Sequence, residues 1–220
     1  MSEQQKYALV TGGSEGVGYA VAEMLARRGM HVLLVARDRV KLEAAREQIV
    51  AAGGHASIFP CDVSDRAALV GLRASVDGVT PHLAVLVNAA GTFRWDPSDI
   101  DLLAVNAKSK EFILEIFDDM LIEGSFVVNV SSQAALFAID DPRRVGEEAY
   151  VGSMARVDAL SAAFAARRPD VRVHVSHPPL MKGRIAEMQF RGRAGFEDVD
   201  FDALPGPEIV ADEVAAVLGA

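Results

Sequence analysis

Two hydrophobic periods alternate along the whole chain. Short, nearly continuous apolar runs predict six strands, at Tyr7–Thr11, His31–Ala36, His55–Phe59, Leu83–Asn88, Phe126–Val130 and Val171–Ser176. The segments between them repeat apolar residues at helical spacing and predict helices at about 16–28, 39–52, 65–76, 99–121, 148–167 and 207–218. Strict alternation of this kind predicts an α/β fold: a doubly wound parallel sheet of about six strands with helices on both faces. Continuous apolar strands fit a sheet that is covered on both sides.

The turn between the first strand and the first helix is rich in glycine, with the pattern Thr-Gly-x-x-x-Gly-x-Gly from Thr11 to Gly18. Because Gly12 and Gly16 lack a Cβ, the turn can adopt positive φ and a phosphate can approach the backbone. The helix that begins there directs free N–H groups and the positive end of its dipole at an anion. We therefore predict a Rossmann-like dinucleotide site, although such a turn could also simply close a strand–helix junction. The predicted cofactor contacts in this turn are Gly12, Ser14, Glu15, Gly16, Val17 and Gly18.

The end of the second strand bears on which dinucleotide is bound. An acid at this position would bond the 2′-hydroxyl of NAD, but the chain has Ala36 followed by Arg37. A guanidinium suits a 2′-phosphate by charge and by bidentate geometry, so the pair predicts NADP(H) in preference to NAD(H). Glu15 opposes this prediction because its carboxylate would repel the phosphate. Alternatively, Arg37 is a solvated loop cation and Asp38 caps the next helix.

The third and fourth strands also end in residues that suit a dinucleotide. Asp62 and Val63 follow the third strand, where the carboxylate could bond the adenine amino group or simply begin a turn. Small residues after the fourth strand leave room for a flat cofactor, or else form a tight loop. They are Asn88, Ala89, Ala90 and Gly91.

Composition narrows the class of partner and the compartment. The 220 residues carry a formal net charge of −9, and the seven acidic residues from Phe196 onward have no Lys or Arg among them. This charge argues against nucleic acid or an anionic membrane as a partner. The single cysteine, Cys61, fits a reducing cytoplasm. Neither a signal peptide nor a membrane-spanning segment is predicted, and with no linker or repeat in sight residues 1–220 are predicted to form a single domain.

The motifs together resemble the short-chain dehydrogenase/reductase family over nearly the full chain. The resemblance rests on Thr11–Gly18, Asp62, Asn88–Gly91, Asn106, residues 128–132, and Tyr150 with Ser153. It implies hydride transfer between a nicotinamide and a carbonyl or alcohol substrate. The implied roles are Tyr150 as acid/base, Ser132 as the hydrogen-bond partner of the substrate oxygen, and Asn106 as the support of a water on the proton path.

The same resemblance implies how the last part of the chain would be used. Pro178 and Met181 would contact the nicotinamide carboxamide, and residues 183–206 would cover the substrate. The helices at 99–121 and 148–167 would pair across a two-fold axis, which predicts a homodimer. No histidine spacing suggests a metal site. Short signals, Ser131-Ser132-Gln133 and Pro178-Pro179, place the chain near the 3-ketosphinganine reductase branch.

Four departures from the family pattern put the activity in question. The lysine of Tyr-x-x-x-Lys is Met154, although Lys108, Lys110 or Lys182 could reach in from another element. Residues 139–144 are a plausible insert at the substrate rim. Gly183 stands where the family has a threonine, and the usual final strand is missing. The alternative function is therefore a dinucleotide-binding protein with little redox activity, such as a regulator, a scaffold, or a non-redox lyase or isomerase.

Overall fold

The fold is built on one parallel sheet of six strands in the order β3-β2-β1-β4-β5-β6. The structure is a computed structural model that describes residues 5–94, 101–141, 146–192 and 195–219. Each neighbouring pair of strands runs parallel. The strands are β1 (Tyr7–Thr11), β2 (His31–Ala36), β3 (His55–Pro60), β4 (Leu83–Asn88), β5 (Leu121–Val130) and β6 (Arg172–Ser176). The predicted fold class, a doubly wound Rossmann-like sheet, is confirmed.

Helices cover both faces of the sheet and bury two apolar clusters against it. They are α1 (Gly16–Arg27), α2 (Arg39–Ala51), α3 (Arg66–Asp77), α4 (Ser109–Ile116), α5 (Glu148–Arg167), α6 (Arg184–Gln189) and α7 (Glu208–Gly219). Apolar residues from α3, α4 and α5 join one cluster, and those from α1, α2 and α7 join the other. Alternate residues of each strand serve opposite clusters: Leu9 lies in the first, and Ala8 and Val10 lie in the second. No helix in the described ranges has both the length and the apolar character needed to cross a bilayer.

The described part of the predicted helix at 99–121 is helical as far as Ile116, but the prediction extends too far, because a 3₁₀ turn at Asp118–Met120 then leads directly into β5. Residues 95–100 lie outside the described ranges. The helical segment comprises a π-helical turn at Ala104–Lys108 and α4, and β5 already begins at Leu121. Leu121 pairs with Leu83, but the next registered pair is Val85 with Phe126, so β5 contains a wide bulge. Gly124 makes the bulge possible with φ of 82°. The sequence Glu123-Gly124-Ser125 resembles a turn, so the sequence pattern predicts the start of β5 five residues too late.

Polar side chains cross the buried sheet near its carboxyl end. Asn88 of β4 donates to Asn129 Oδ1 of β5 at 2.9 Å, and Asn129 donates to Ser161 Oγ of α5 at 2.8 Å. Ser161 in turn donates to the carbonyl of Val157 at 2.6 Å. Asn88 and Asn129 are fully buried, and these bonds satisfy both polar atoms of Asn129 and Nδ2 of Asn88, whereas Asn88 Oδ1 has no hydrogen-bond partner among the described residues. These side-chain hydrogen bonds connect β4, β5 and α5 near the point where the strand order reverses. Folds of this kind bind ligands at that point.

Candidate active site

Gly12, Gly16 and Gly18 shape the turn after β1, either because φ is positive or because a Cβ has no room. Gly12 and Gly16 have φ of 68° and 58°. A Cβ on Gly12 would lie 3.0 Å from backbone atoms of Ala90, and a Cβ on Gly18 would lie 2.2 Å from the carbonyl oxygen of Gly12. At Gly16 a Cβ would meet nothing within 4 Å, so this side of the turn is open. Tight backbone packing behind an open helix N-terminus fits the pyrophosphate of a dinucleotide.

A side-chain hydrogen bond attaches the loop after β4 to this turn. Ala90 N donates to Thr11 Oγ1 at 3.2 Å, while Thr11 Oγ1 lies 3.4 Å from the carbonyl of Val87. The small residues Ala89 and Ala90 therefore sit directly behind Gly12. Asn88 has a different placement, since its side chain is buried between strands and bonds Asn129. Gly91 follows, and a Cβ there would lie 3.4 Å from Asn106 Oδ1.

Glu15 is neutralised by two cations that the sequence analysis did not assign to the cofactor. Lys41 Nζ of α2 lies 2.8 Å from Glu15 Oε2, and Arg184 of α6 lies 3.3 Å from Glu15 Oε1. The objection that Glu15 would repel a phosphate is therefore weakened. Lys41 lies four residues after Arg37 on the first turn of α2, a spacing that could have identified it. Asp38 caps α2 by accepting from Lys41 N at 3.1 Å, as the alternative interpretation of that residue expected.

Arg37 and Asp62 face each other across the ends of β2 and β3. Arg37 Nη1 lies 3.9 Å from Asp62 Oδ2, and the Arg37 side chain is 72% exposed. Asp62 Oδ1 accepts from Ser64 N at 2.9 Å and Ser64 Oγ at 2.7 Å. Burial raises the pKa of Asp62, but the Ser64 hydrogen bonds and the Arg37 charge outweigh it and hold the pKa below its usual value. The Val63 side chain is buried in the core.

Asn106 joins the two sides of the site. It lies in the π-helical turn and is fully buried. Its Oδ1 accepts from Thr92 N at 2.8 Å, and its Nδ2 donates to the Thr92 carbonyl at 2.9 Å and to Ser153 Oγ at 3.1 Å. Ser153 Oγ donates to the carbonyl of Tyr150 at 2.8 Å. Hydrogen bonds therefore connect the loop after β4 to the first turn of α5, where Tyr150 lies.

Ser132 lies at the end of β5 and caps a short 3₁₀ turn, Gln133–Leu136. Its Oγ accepts from Ala134 N at 3.1 Å. This 3₁₀ turn packs against α5, and Gln133 N donates to the carbonyl of Pro178 at 3.1 Å. The segments that carry Ser132, Tyr150 and Pro178 are thus neighbours. Met181 is partly buried and packs against the cluster that includes α1.

The position at which the family resemblance predicts a lysine is occupied by a buried methionine. Met154 is 3% exposed, and its carbonyl lies 3.3 Å from Ser131 Oγ. A buried amine lies on α4: Lys110 Nζ donates to the carbonyls of Ala90 at 2.7 Å and Asn106 at 2.9 Å. Burial lowers the pKa of Lys110 to about 7. Sequence reasoning named Lys110 only as one of three candidates, since spacing along the chain could not show this contact.

An aromatic cluster packs over Tyr150. The Phe93 ring meets the Tyr150 ring edge-on at 4.8 Å between centroids and lies 4.8 Å from the Phe190 ring. Phe201 is buried in the same cluster.

Gly183, which precedes α6, has φ of 144°, a conformation that a threonine would rarely adopt. The replacement at this position therefore follows from the backbone path into α6. Of the proposed insert at 139–144, Ile139 is 59% exposed, and residues 142–144 lie outside the described ranges.

Comparison with known proteins identifies the family. A family model described as short chain dehydrogenase matches residues 6–193. The chain belongs to the short-chain dehydrogenase family. A fatty acyl-CoA reductase of Acinetobacter baylyi is 31% identical over 172 residues, which cover 73% of this chain and 57% of the relative. A D-threitol dehydrogenase of Mycolicibacterium smegmatis is 29% identical over 223 residues, which cover 96% of this chain and 83% of the relative.

A solved structure of the short-chain dehydrogenase family supports the same conclusion for the fold. A metagenomic short-chain oxidoreductase in complex with NADP has a TM-score of 0.78 and 30% identity, with 98% of this chain and 91% of that chain covered. The chain spans little more than half the length of the fatty acyl-CoA reductase. The two relatives are, by name, a reductase and a dehydrogenase.

Proposed function

We propose that this short-chain dehydrogenase is an NADP(H)-dependent oxidoreductase that acts on a carbonyl or alcohol substrate. One observation carries the proposal: hydrogen bonds run unbroken from the loop behind the glycine turn, through Asn106 and Ser153, to Tyr150. The bound nicotinamide supplies or accepts the hydride. Tyr150 gives or takes the proton of the substrate oxygen, Ser132 donates a hydrogen bond to that oxygen, and Asn106 supports the proton path.

The preference for NADP(H) is supported by charge at the ends of β2 and β3. Arg37 is exposed beside the place where an adenosine ribose would lie, and Lys41 adds a second cation one helical turn later. The side chains of Arg37 and Lys41 are exposed, and we propose that both can reorient to contact a 2′-phosphate. The ion pair of Lys41 is with Glu15, whose carboxylate is itself exposed. A solved relative in complex with NADP agrees with this preference. The other proposed cofactor contacts are Gly12, Ser14–Gly18, Asp62, Val63, Asn88–Gly91, Pro178 and Met181. The Asn88 side chain is buried between strands, so we propose that this residue acts through the position of its loop.

The substrate is proposed to carry an apolar group beside its carbonyl. The Phe93 ring packs on the ring of Tyr150, Phe190 and Phe201 lie in the same cluster, and the segment 183–206 contains the last two. We propose that this segment covers the substrate within a single domain. The assignment to the 3-ketosphinganine reductase branch stays a prediction, because it rests on short motifs alone.

The competing function is a dinucleotide-binding protein with little redox activity, and Met154 is the observation that favours it. Titration with NADPH, followed by its fluorescence, measures binding by itself. NADPH oxidation over a panel of aliphatic and aromatic ketones and aldehydes then measures turnover. Binding with turnover supports the oxidoreductase. Binding without turnover of any panel member supports the competing function, and absence of binding contradicts both.

We also propose a cytoplasmic homodimer. The outward side of α5 is made of small residues, since Ala155, Ala159, Ala162, Ala163 and Ala166 are exposed. Such a surface lets a second copy of the helix approach closely across a two-fold axis. Light scattering at micromolar concentration should give twice the mass of the chain, and Ala159→Arg should reduce it to the monomer mass. A monomer for the parent chain would contradict the proposal.

A further inference from the structure

Lys110 is a buried amine for which the proposed reaction has so far no role. The side chain is 1% exposed, and both partners that the structure gives its Nζ are uncharged carbonyl oxygens, of Ala90 and Asn106. The other two lysines considered for this site, Lys108 and Lys182, are exposed. Lys110 is therefore the one lysine of the three that the fold carries into the interior.

An ammonium in such a place is costly. Its charge is removed from water, and carbonyl dipoles return only part of the lost solvation. The cost is visible in the pKa of Lys110, which burial lowers to about 7. A methionine would fill the same space without a charge, as Met154 does one helix away. An amine retained here therefore points to a task that needs its charge.

The two carbonyls belong to segments that meet at the proposed active site. Ala90 packs behind Gly12 of the glycine turn. Asn106 bonds Ser153, which bonds the carbonyl of Tyr150. A single Nζ atom thus touches both the loop behind the cofactor turn and the residue that anchors the tyrosine helix. Lys110 reaches this junction from α4, whereas Met154 reaches its own position from α5.

We propose that Lys110 is the positioning cation of this active site and supplies, from α4, the buried positive charge that Met154 cannot supply. The inference rests on the proposed oxidoreductase function. In ketone reduction, hydride from the reduced nicotinamide reaches the carbonyl carbon as the Tyr150 proton passes to the oxygen. The products are the alcohol and the oxidised nicotinamide, and the phenolate left on Tyr150 regains its proton from solvent. The charge of Lys110 acts on that phenolate through Asn106 and Ser153, which connect its Nζ to the carbonyl of Tyr150 and so position the tyrosine.

Other charged groups on the elements around α4 form ion pairs, two of them partly buried: Arg73 of α3 with Asp77 and Asp119, and Asp158 of α5 with His177. Two further pairs lie on the surface. Glu111 of α4 pairs with Arg156 of α5 at 3.1 Å, and Glu115 of α4 pairs with Arg66 of α3 at 2.7 Å. All four side chains are at least 46% exposed. Lys108 of the π-helical turn is exposed as well, and the buried thiol of Cys61 stays neutral because burial raises its pKa to about 11. At the start of α5, the N-cap residue Glu147 is also buried.

The first test is the pH profile of ketone turnover at saturating NADPH. In the parent chain, the rate should fall as pH rises through neutrality, because Lys110 loses its proton there. Lys110→Met should lower the rate roughly tenfold at pH 6.5 and abolish this fall. Lys110→Arg keeps its charge, so the fall should move above pH 9. Lys108→Met, an exposed substitution in the adjacent π-helical turn, should leave the profile unchanged.

The second test moves the amine between helices. In the Lys110→Met background, Met154→Lys should restore most of the lost turnover, because a buried positive charge returns to the proposed active site, now from α5. A role of Lys110 in folding alone predicts no such rescue. It predicts instead that Lys110→Met lowers the melting temperature and scales the rate without changing the pH profile.

The third test needs no turnover. A buried cation on the loop behind the cofactor turn should disfavour the positively charged oxidised ring, so the ratio of the Kd for NADP⁺ to that for NADPH should be several-fold larger at pH 6 than at pH 9. Lys110→Met should remove this pH dependence. If no ketone is turned over but the ratio behaves this way, the proposed reaction fails and the role of Lys110 as the site's cation stands. A folded Lys110→Met protein with the parent's ratio at both pH values would overturn the proposal.

Discussion

The cofactor end and the catalytic end of this site are built by different means. Around the glycine turn, the requirements fall on the backbone: Gly18 has no room for a Cβ, and Gly12 combines positive φ with close packing on Ala90. Around Tyr150, the proposed requirements fall on side-chain chemistry, and here the sequence analysis predicts departures from the family pattern at Met154 and Gly183. Backbone geometry has no substitute from elsewhere in the fold. A charge, in contrast, can be supplied from a neighbouring helix.

The sharpest way to test the backbone half of this comparison is Gly18→Ala. Its Cβ would lie 2.2 Å from the Gly12 carbonyl, so the turn must open. We expect loss of NADPH binding by more than a hundredfold, or a failure to fold, as overpacking of this severity costs about 3 kcal/mol or more. Gly71→Ala is the matched control because a Cβ there meets nothing within 4 Å, and alanine should stabilise α3 by roughly 0.5–1 kcal/mol. Fluorescence titration and thermal melts measure both, and normal binding by Gly18→Ala would contradict the steric argument.

At the catalytic end, Tyr150→Phe should separate binding from chemistry. Removal of one hydroxyl leaves the ring in the aromatic cluster, so NADPH affinity and melting temperature should stay close to the parent values. Turnover should fall by roughly 10²–10⁴-fold because the proton donor is lost. Ser153→Ala, which removes the hydroxyl that bonds Asn106 Nδ2, should show a smaller loss. Full turnover by Tyr150→Phe would remove this residue from the proposed mechanism.

Stability against pH tests the buried amine of Lys110 without a substrate. The pKa of Lys110 is about 7 in the folded chain, below its ordinary value, so between these two pKa values the unfolded chain binds one more proton. The free energy of unfolding should therefore rise with pH, by about 2–3 kcal/mol between pH 6.5 and pH 9 for this group. Denaturant unfolding of the parent and of Lys110→Met isolates the contribution as the difference between their slopes. Parallel pH curves would show that the amine is not buried as described.

The smallest effect is expected at the edge of the cofactor end. Arg37→Ala should weaken NADPH binding by about 1.5 kcal/mol, or roughly tenfold, since the side chain is exposed and a charged hydrogen-bond partner is lost. NADH affinity should hardly change. Arg27→Ala, at the far end of α1, serves as the control for a general loss of positive charge. Equal affinity of the parent chain for both cofactors would contradict the NADP(H) preference.

Sequence reasoning reached the fold because strand and helix periods are local signals. All six strands were predicted, and the glycine turn was recognised because its steric requirement is encoded within eight residues. The start of β5 was predicted wrongly because a bulge around Gly124 reads as a turn. The cation pair on Glu15 and the contacts of Lys110 went unassigned because each joins residues that the chain brings together only in three dimensions.

The wide bulge in β5 separates the strand into two halves with different tolerance to change. Beyond Phe126 the strand is aligned residue for residue with β4, and the Asn88–Asn129 bond verifies that alignment next to the site. Before Phe126, five residues of β5 span a distance that β4 covers in two, so an extra or missing residue can be absorbed there. Length variation among relatives should therefore accumulate between Leu121 and Ser125, where it leaves the position of Ser132 untouched. Before Phe126, β5 should therefore tolerate insertions and deletions, whereas beyond Phe126 its register with β4 must be kept.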